Sequence, residues 1–136
     1  MNSDAEDRLA LRELYDAYQL AIDTHEAGPW VELFTSDGVY ESPFGAATGT
    51  DELVAAISQR HSSGITVGKR HLLGPVSVTV DGNSATGHGT YFILEAEASA
   101  GVVASGTYRD QFVRNAEGWR IARRVQTIDP SFPLGD

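Results

Sequence analysis

The sequence predicts an α+β domain in which three helices come first and a curved antiparallel sheet follows. Up to Ser62 the apolar residues recur at helical spacing. From Val67 onward β-branched residues and turn dipeptides take over, the pattern of strands joined by hairpins. A chain of 136 residues suits one domain, so residues 1–136 are read as a single unit.

The first helix starts at a capping box, Ser3 followed three positions later by Glu6, and is expected to run to about Glu26. Its apolar stripe is Leu11, Leu14, Tyr15, Tyr18 and Ile22. Gly28-Pro29 breaks it. Proline fits the first turn of a new helix, so a short second one is expected over Pro29–Thr35, carrying Trp30, Leu33 and Phe34. Ser36-Asp37-Gly38 reads as a turn and Val39–Ser42 as a short strand. Phe44–Gly49 reads as a loop, after which Thr50 caps a third helix with Asp51 and Glu52 at its positive end. Four strands follow: His71–Val80, Ala85–Glu97, Val102–Val113 and Trp119–Ile128. Asp81-Gly82, Ala100-Gly101 and Asn115–Gly118 turn between them. Glycines at 74, 87, 89 and 106 suit bulges and bends that curve such a sheet, and a strongly curved sheet encloses a pocket. The tail around Pro130 and Pro133 reads as irregular.

Composition removes several function classes. There is no cysteine, hence no disulfide framework, cysteine-ligated metal or thiol nucleophile. Nineteen acidic against 10 basic residues give a net charge of −9, which repels phosphate backbones and anionic lipid, so nucleic acid and membranes are not expected partners. Met1–Asp7 is polar and acidic, unlike a signal peptide, and a cytoplasmic location is the expectation. No phosphate-binding glycine loop and no Gly-x-Ser-x-Gly elbow occurs. The histidines are too irregularly spaced to form a metal site, and no metal is expected.

The residues alone leave several roles open. Periodicity puts Asp23 on the polar arc of the first helix with Arg12, Asp16 and Gln19, the place of a solvated acid. His71 opens an apolar strand, where an inward imidazole needs a partner for its buried N–H. His25 and His61 lie at helix ends, where exposure is expected. His88, between two glycines, has room to approach a ligand or to sit on the surface. Tyr18 lies on the apolar stripe, where core packing and a hydroxyl aimed at substrate are alternatives. Trp30, Phe34, Tyr40, Phe44, Phe92 and Tyr108 divide between core and pocket wall. Arg123 shares the parity of Trp119 and Ile121, although a solvated arginine is the plainer reading, and Asp110 is a candidate ion-pair partner for one of the arginines.

A set of strings gives this reading a family. They are Tyr18–Asp23, Trp30-Val-Glu-Leu-Phe-Thr-Ser-Asp-Gly-Val-Tyr40, Gly49-Thr-Asp-Glu-Leu53, Arg70-His-Leu-Leu-Gly74 and Gly118-Trp-Arg-Ile-Ala-Arg123. In their order and spacing the chain resembles the SnoaL-like branch of the nuclear transport factor 2-like superfamily, on the side of scytalone dehydratase, bile acid 7α-dehydratase and the dehydrochlorinases. The resemblance implies a cone-shaped α+β half-barrel with one deep pocket. It implies an acid–base pair at Asp23 and His71, and a tyrosine acting with them at Tyr18. The second histidine of the scytalone branch aligns with Glu95, with His88 half a strand away, and this departure leaves the second acid–base group open.

The mechanism expected from the resemblance has the Asp23 carboxylate accept the Nδ1–H of His71, leaving Nε2 as general base. Histidine's ordinary titration near neutral pH suits that task. Tyr18 donates to the oxygen that gains charge. Elimination, isomerisation and ring closure all fit this apparatus without a cofactor, on a small organic substrate held in an apolar pocket. A non-catalytic ligand-binding module and a structural subunit are the alternatives. A homo-oligomer, dimer or trimer, is expected from the resemblance alone.

Overall fold

The computed structural model describes residues 3–97 and 101–130. Its elements are α1 (Asp4–Asp23), α2 (Ala27–Val31), β1 (Phe34–Ser42), β2 (Gly45–Thr48), α3 (Thr50–Ser62), β3 (Lys69–Asp81), β4 (Ser84–Glu95), β5 (Val102–Asn115) and β6 (Gly118–Ile128). The expected turn residue Ala100 and the tail at Pro133 lie outside the described residues.

Helix α1 starts at the capping box: Glu6 N–H donates to the Ser3 hydroxyl at 3.1 Å, and Ser3 N–H to the Glu6 carboxylate at 3.0 Å. It ends at Asp23 rather than near Glu26, because His25 takes a left-handed backbone (φ 59) that no helix continues. The next helix is the single turn Ala27–Val31, shorter than the expected Pro29–Thr35. The sheet claims Phe34: the Leu33 carbonyl accepts Ile121 N–H at 2.8 Å, and Phe34 pairs with Ile121. Ser36-Asp37-Gly38 is therefore no free turn but an irregularity inside β1, between its two stretches of pairing with β6.

Two further expectations are corrected nearby. Residues Gly45–Thr48 are not a loop; they fold back on β1 as an antiparallel strand, Ser42 facing Gly45 and Val39 facing Thr48. The cap of α3 is Gly49, with φ 84, and not Thr50. A positive φ suits glycine, which has no Cβ to clash.

The six strands form one sheet in the order β2-β1-β6-β5-β4-β3. The expected meander β3–β6 is antiparallel throughout, but β1 joins β6 in parallel, so the sheet is mixed rather than wholly antiparallel. The helices pack on its inner face. There the α1 stripe meets Tyr91, Tyr108, Phe112 and Ile121, all buried. Burying each such large side chain stabilises the fold by about 1.5–3 kcal/mol relative to exposure. Gly87 permits a close approach: a Cβ there would lie 2.5 Å from the Tyr15 hydroxyl, so the bare backbone seats that ring. Among the described residues, no helix is long and apolar enough to cross a membrane.

One irregularity decides what faces inward from β6. Gln111 pairs with Arg123 but Phe112 pairs with Ile121, which leaves Ala122 as an extra residue. A bulge of this kind reverses the alternation beyond it. Trp119 and Ile121 point inward before it; Arg124 and Gln126, not Arg123, point inward after it. Arg123 is half exposed and paired with Glu41 at 2.8 Å, in keeping with its plainer reading as a solvated arginine.

Candidate functional site

Asp23 and His71 meet. The last residue of α1 faces the start of β3, and Asp23 Oδ1 lies 2.9 Å from His71 Nδ1. The same carboxylate accepts the backbone N–H of His71 at 3.1 and 3.2 Å to its two oxygens. The ring is 8% exposed and the carboxylate 21%. Three contacts to one carboxylate fix the position of the imidazole. A carboxylate oxygen accepts, so Nδ1 is the ring nitrogen placed to donate and Nε2 the one turned away from Asp23.

A second polar centre lies deeper, around a residue that sequence periodicity passed over. Arg124 is fully buried. Its Nε donates to Asp110 Oδ1 at 2.7 Å and its Nη2 to Asp110 Oδ2 at 3.0 Å, the two-point geometry that suits guanidinium and carboxylate. Asp110 also accepts the Tyr15 hydroxyl. The guanidinium lies against three tyrosine rings, its carbon 4.2 Å from the centroids of Tyr18 and Tyr108 and 4.8 Å from that of Tyr15. Burial alone would lower the Arg124 pKa, but the Asp110 charge and its hydrogen bonds outweigh that and the net shift is upward. Burial raises Tyr18 well above the ordinary tyrosine value, with Tyr40 and Tyr108 adding to it, so its hydroxyl stays protonated.

This centre is only partly satisfied within the chain. Arg124 Nη1, Gln19 Nε2, Trp30 Nε1 and the Tyr18 hydroxyl are buried and have no partner among the described residues. They belong to one packed group: Tyr18 touches Trp30, Tyr108 and the guanidinium, while the Tyr108 hydroxyl donates to Gln19 at 3.0 Å. All four can donate and three can do nothing else. An unmet buried donor costs about 1–3 kcal/mol, so four in one place call for an acceptor from outside. The only sequence signal for Arg124 was Asp110, singled out as an ion-pair acid. The bulge at Ala122 hid which arginine answers it.

The remaining expected site residues scatter. Trp30, Phe34 and Tyr108 are core, and Tyr40 is buried with its hydroxyl on the Gln126 side-chain oxygen. Gln19, expected on the polar arc, is buried through its bond to Tyr108. Glu95 shares the inner face with His71 but is held by Lys69 Nζ at 2.8 Å. His88 and Phe92 do not line the interior, which corrects the expected pocket wall: they alternate with buried Gly89 and Tyr91 and so project from the outer face. His61 is not free at its helix end; its ring stacks on His25 with centroids 4.7 Å apart. Phe44, 60% exposed, borders a recess of about 440 Å³ between α3 and the β1–β2 hairpin, lined by neither Asp23 nor His71. The expected deep cavity is thus largely filled, by Tyr18, Trp30, Tyr108 and Arg124.

The fold, a mixed sheet wrapped on one side by three helices, is that of the cystatin-like, nuclear transport factor 2-like proteins. A nuclear transport factor 2-like protein of Novosphingobium aromaticivorans with this fold is 31% identical, with a TM-score of 0.82 over 94% of this chain and 87% of its own. A protein of unknown function from Nostoc punctiforme superposes with a TM-score of 0.87 over 98% of both chains, at 24% identity. Within this class the chain belongs to the SnoaL-like domain family, whose model matches residues 3–125. An uncharacterised protein of Mycobacterium tuberculosis is 32% identical over 89% of this chain and 84% of its own length.

Proposed function

We propose that this chain is a cofactor-independent acid–base enzyme acting on a small organic molecule, a lyase, isomerase or cyclase of the dehydratase kind. The observation that carries the reading is the 2.9 Å contact between Asp23 Oδ1 and His71 Nδ1, with the same carboxylate anchoring the His71 backbone. Asp23 holds the ring so that Nε2 takes a proton from a carbon acid or hydroxyl, and it stabilises the imidazolium that results. The pair acts as the aspartate–histidine half of a serine triad does, without the nucleophile. The proton then returns from Nε2 to a leaving hydroxyl or to a different carbon, which distinguishes elimination from isomerisation. A substrate that parts the side chains filling the interior would find at Tyr18 and Arg124 buried donors, unpartnered among the described residues, for the oxygen on which negative charge builds.

A non-catalytic binding module is the second reading, favoured by one observation: the recess of about 440 Å³ is lined by other residues than the pair. Turnover separates the two. Against a panel of β-hydroxy ketones and epoxides, His71→Ala is expected to lower kcat by roughly 10²–10⁴-fold, the range for a general base, with the fold intact. Asp23→Asn is expected to be severely impaired as well. Full activity in either variant would remove the pair from the mechanism. The proposed homo-oligomer rests on the outer sheet face, where Leu72 and Phe92 stand opposite each other, 46% and 40% exposed.

A further inference from the structure

The recess between α3 and the β1–β2 hairpin holds a charge that no described residue balances. Arg60 reaches into it from α3, half buried. Among the described residues its Nη1 donates to the Tyr40 hydroxyl at 3.0 Å. No carboxylate lies within ion-pair distance of it among the described residues. The one acid on the recess wall, Glu52, is tied to the hairpin, its Oε1 accepting Thr48 N–H at 3.0 Å. In a chain of net charge −9, a partly desolvated arginine that faces a recess with no described carboxylate paired to it is placed to attract an anion.

The apolar part of the recess defines the rest of the ligand. The guanidinium carbon lies 5.5 Å from the centroids of both Tyr40 and Phe44, so the cation sits between two rings. Phe44 is 60% exposed and sits on the hairpin that forms one wall. Gly45, Ala46, Ala55 and Ala56 bring to its lining no side chain larger than a methyl group, which leaves room for an apolar group beside Phe44. A volume of about 440 Å³ falls within the roughly 300–1,000 Å³ of small-molecule sites.

We propose that this recess binds a flat, apolar molecule carrying a carboxylate, with Arg60 holding the carboxylate and Phe44 covering the ring. The site is separate from the Asp23–His71 pair, and its ligand need not be the molecule on which that pair acts. Through Tyr40 it still reaches the interior: the Tyr40 hydroxyl meets Gln126, whose Nε2 donates to Tyr91 at 3.1 Å. The Tyr91 ring in turn stacks on Tyr108.

Calorimetric titration with 2-naphthoate and with its uncharged analogue 2-naphthamide tests this without any turnover. The acid is expected to bind about tenfold or more tightly than the amide, the worth of one charge-assisted pair of hydrogen bonds. Arg60→Gln is expected to erase that preference. Ala55→Trp, which fills the recess from an exposed position, is expected to abolish binding of both compounds. Absence of naphthoate binding, or a preference for the acid that survives Arg60→Gln in a folded chain, would overturn the site. So would unchanged affinity in Ala55→Trp. Naphthoate binding through Arg60 in a chain that converts no substrate would uphold the recess while removing support from the enzyme reading, so the two fail separately.

Discussion

The two ends of α1 each bring an aspartate to the sheet, and they treat it in opposite ways. At the first turn, Asp7 is buried and accepts from Arg114 Nη1 at 2.5 Å and from Trp119 Nε1 at 3.1 Å, with the guanidinium carbon 5.0 Å from the Trp119 centroid. Arg114 also donates to Asn83 and to the Gly82 carbonyl. That network is occupied by the chain's own groups and works as a clasp between helix and hairpin. At the last turn, Asp23 holds a histidine whose second nitrogen has no partner among the described residues, and the interior holds four donors that no described residue accepts. Asp7 is buried and Asp23 half-buried, and both ends are polar. The difference between them is satisfaction: the closed network serves stability and the open one is available to a ligand.

This contrast can be tested by weakening each end in turn. The largest effect is expected on the open side. Arg124→Lys keeps a cation beside Asp110 but loses the free Nη1 donor and the planar face against the tyrosines. Turnover should fall by about 10²-fold while the chain remains folded, as when one oxyanion donor is removed. Unchanged turnover would move Arg124 into the same structural class as Arg114. At the closed end, Asp7→Asn leaves an acceptor for Trp119 but removes the charge facing Arg114. It should cost about 1.5–3 kcal/mol in urea unfolding and leave kcat/KM of the folded chain unaltered. A loss of activity without a loss of stability would erase the distinction between the two ends.

A smaller effect is expected from the histidine stack that borders the open end. Burial lowers the His61 pKa below its ordinary 6.5, and His25 and Arg60 push it the same way. The folded state therefore binds this proton less readily than the unfolded chain. Stability from this source is complete above about pH 6.5 and declines as pH falls through the lowered value. His61→Gln should flatten that part of a stability-against-pH curve, measured by thermal unfolding; an unaltered slope would show that the stack does not titrate this way.

The sequence made the meander legible because each of its features is local: β-branched runs, Asp81-Gly82 at a hairpin and Ser3 with Glu6 at a helix start. What it concealed depends on pairing at a distance. Gly45–Thr48 has almost no strand propensity of its own and becomes β2 only beside β1. Arg124 was hidden by a single bulged residue, since alternation counted from Trp119 selects Arg123. Asp23 shows the opposite failure. The helical wheel placed it in solvent, but it is the final residue of α1, where the chain reverses and the side chain beyond the last turn meets β3. The family resemblance paired Asp23 with His71 where periodicity could not. It did not distinguish His88 and Phe92, on the outer face, from residues that face inward.

If Asp23 orients His71 for proton transfer, as proposed, the tautomer of that ring reports on it most directly. Long-range proton–nitrogen NMR of the histidine side chains at a pH where His71 is neutral should show Nδ1 protonated and Nε2 as the bare nitrogen, with that preference lost in Asp23→Asn. A neutral ring protonated at Nε2, or a tautomer indifferent to Asp23→Asn, would contradict it.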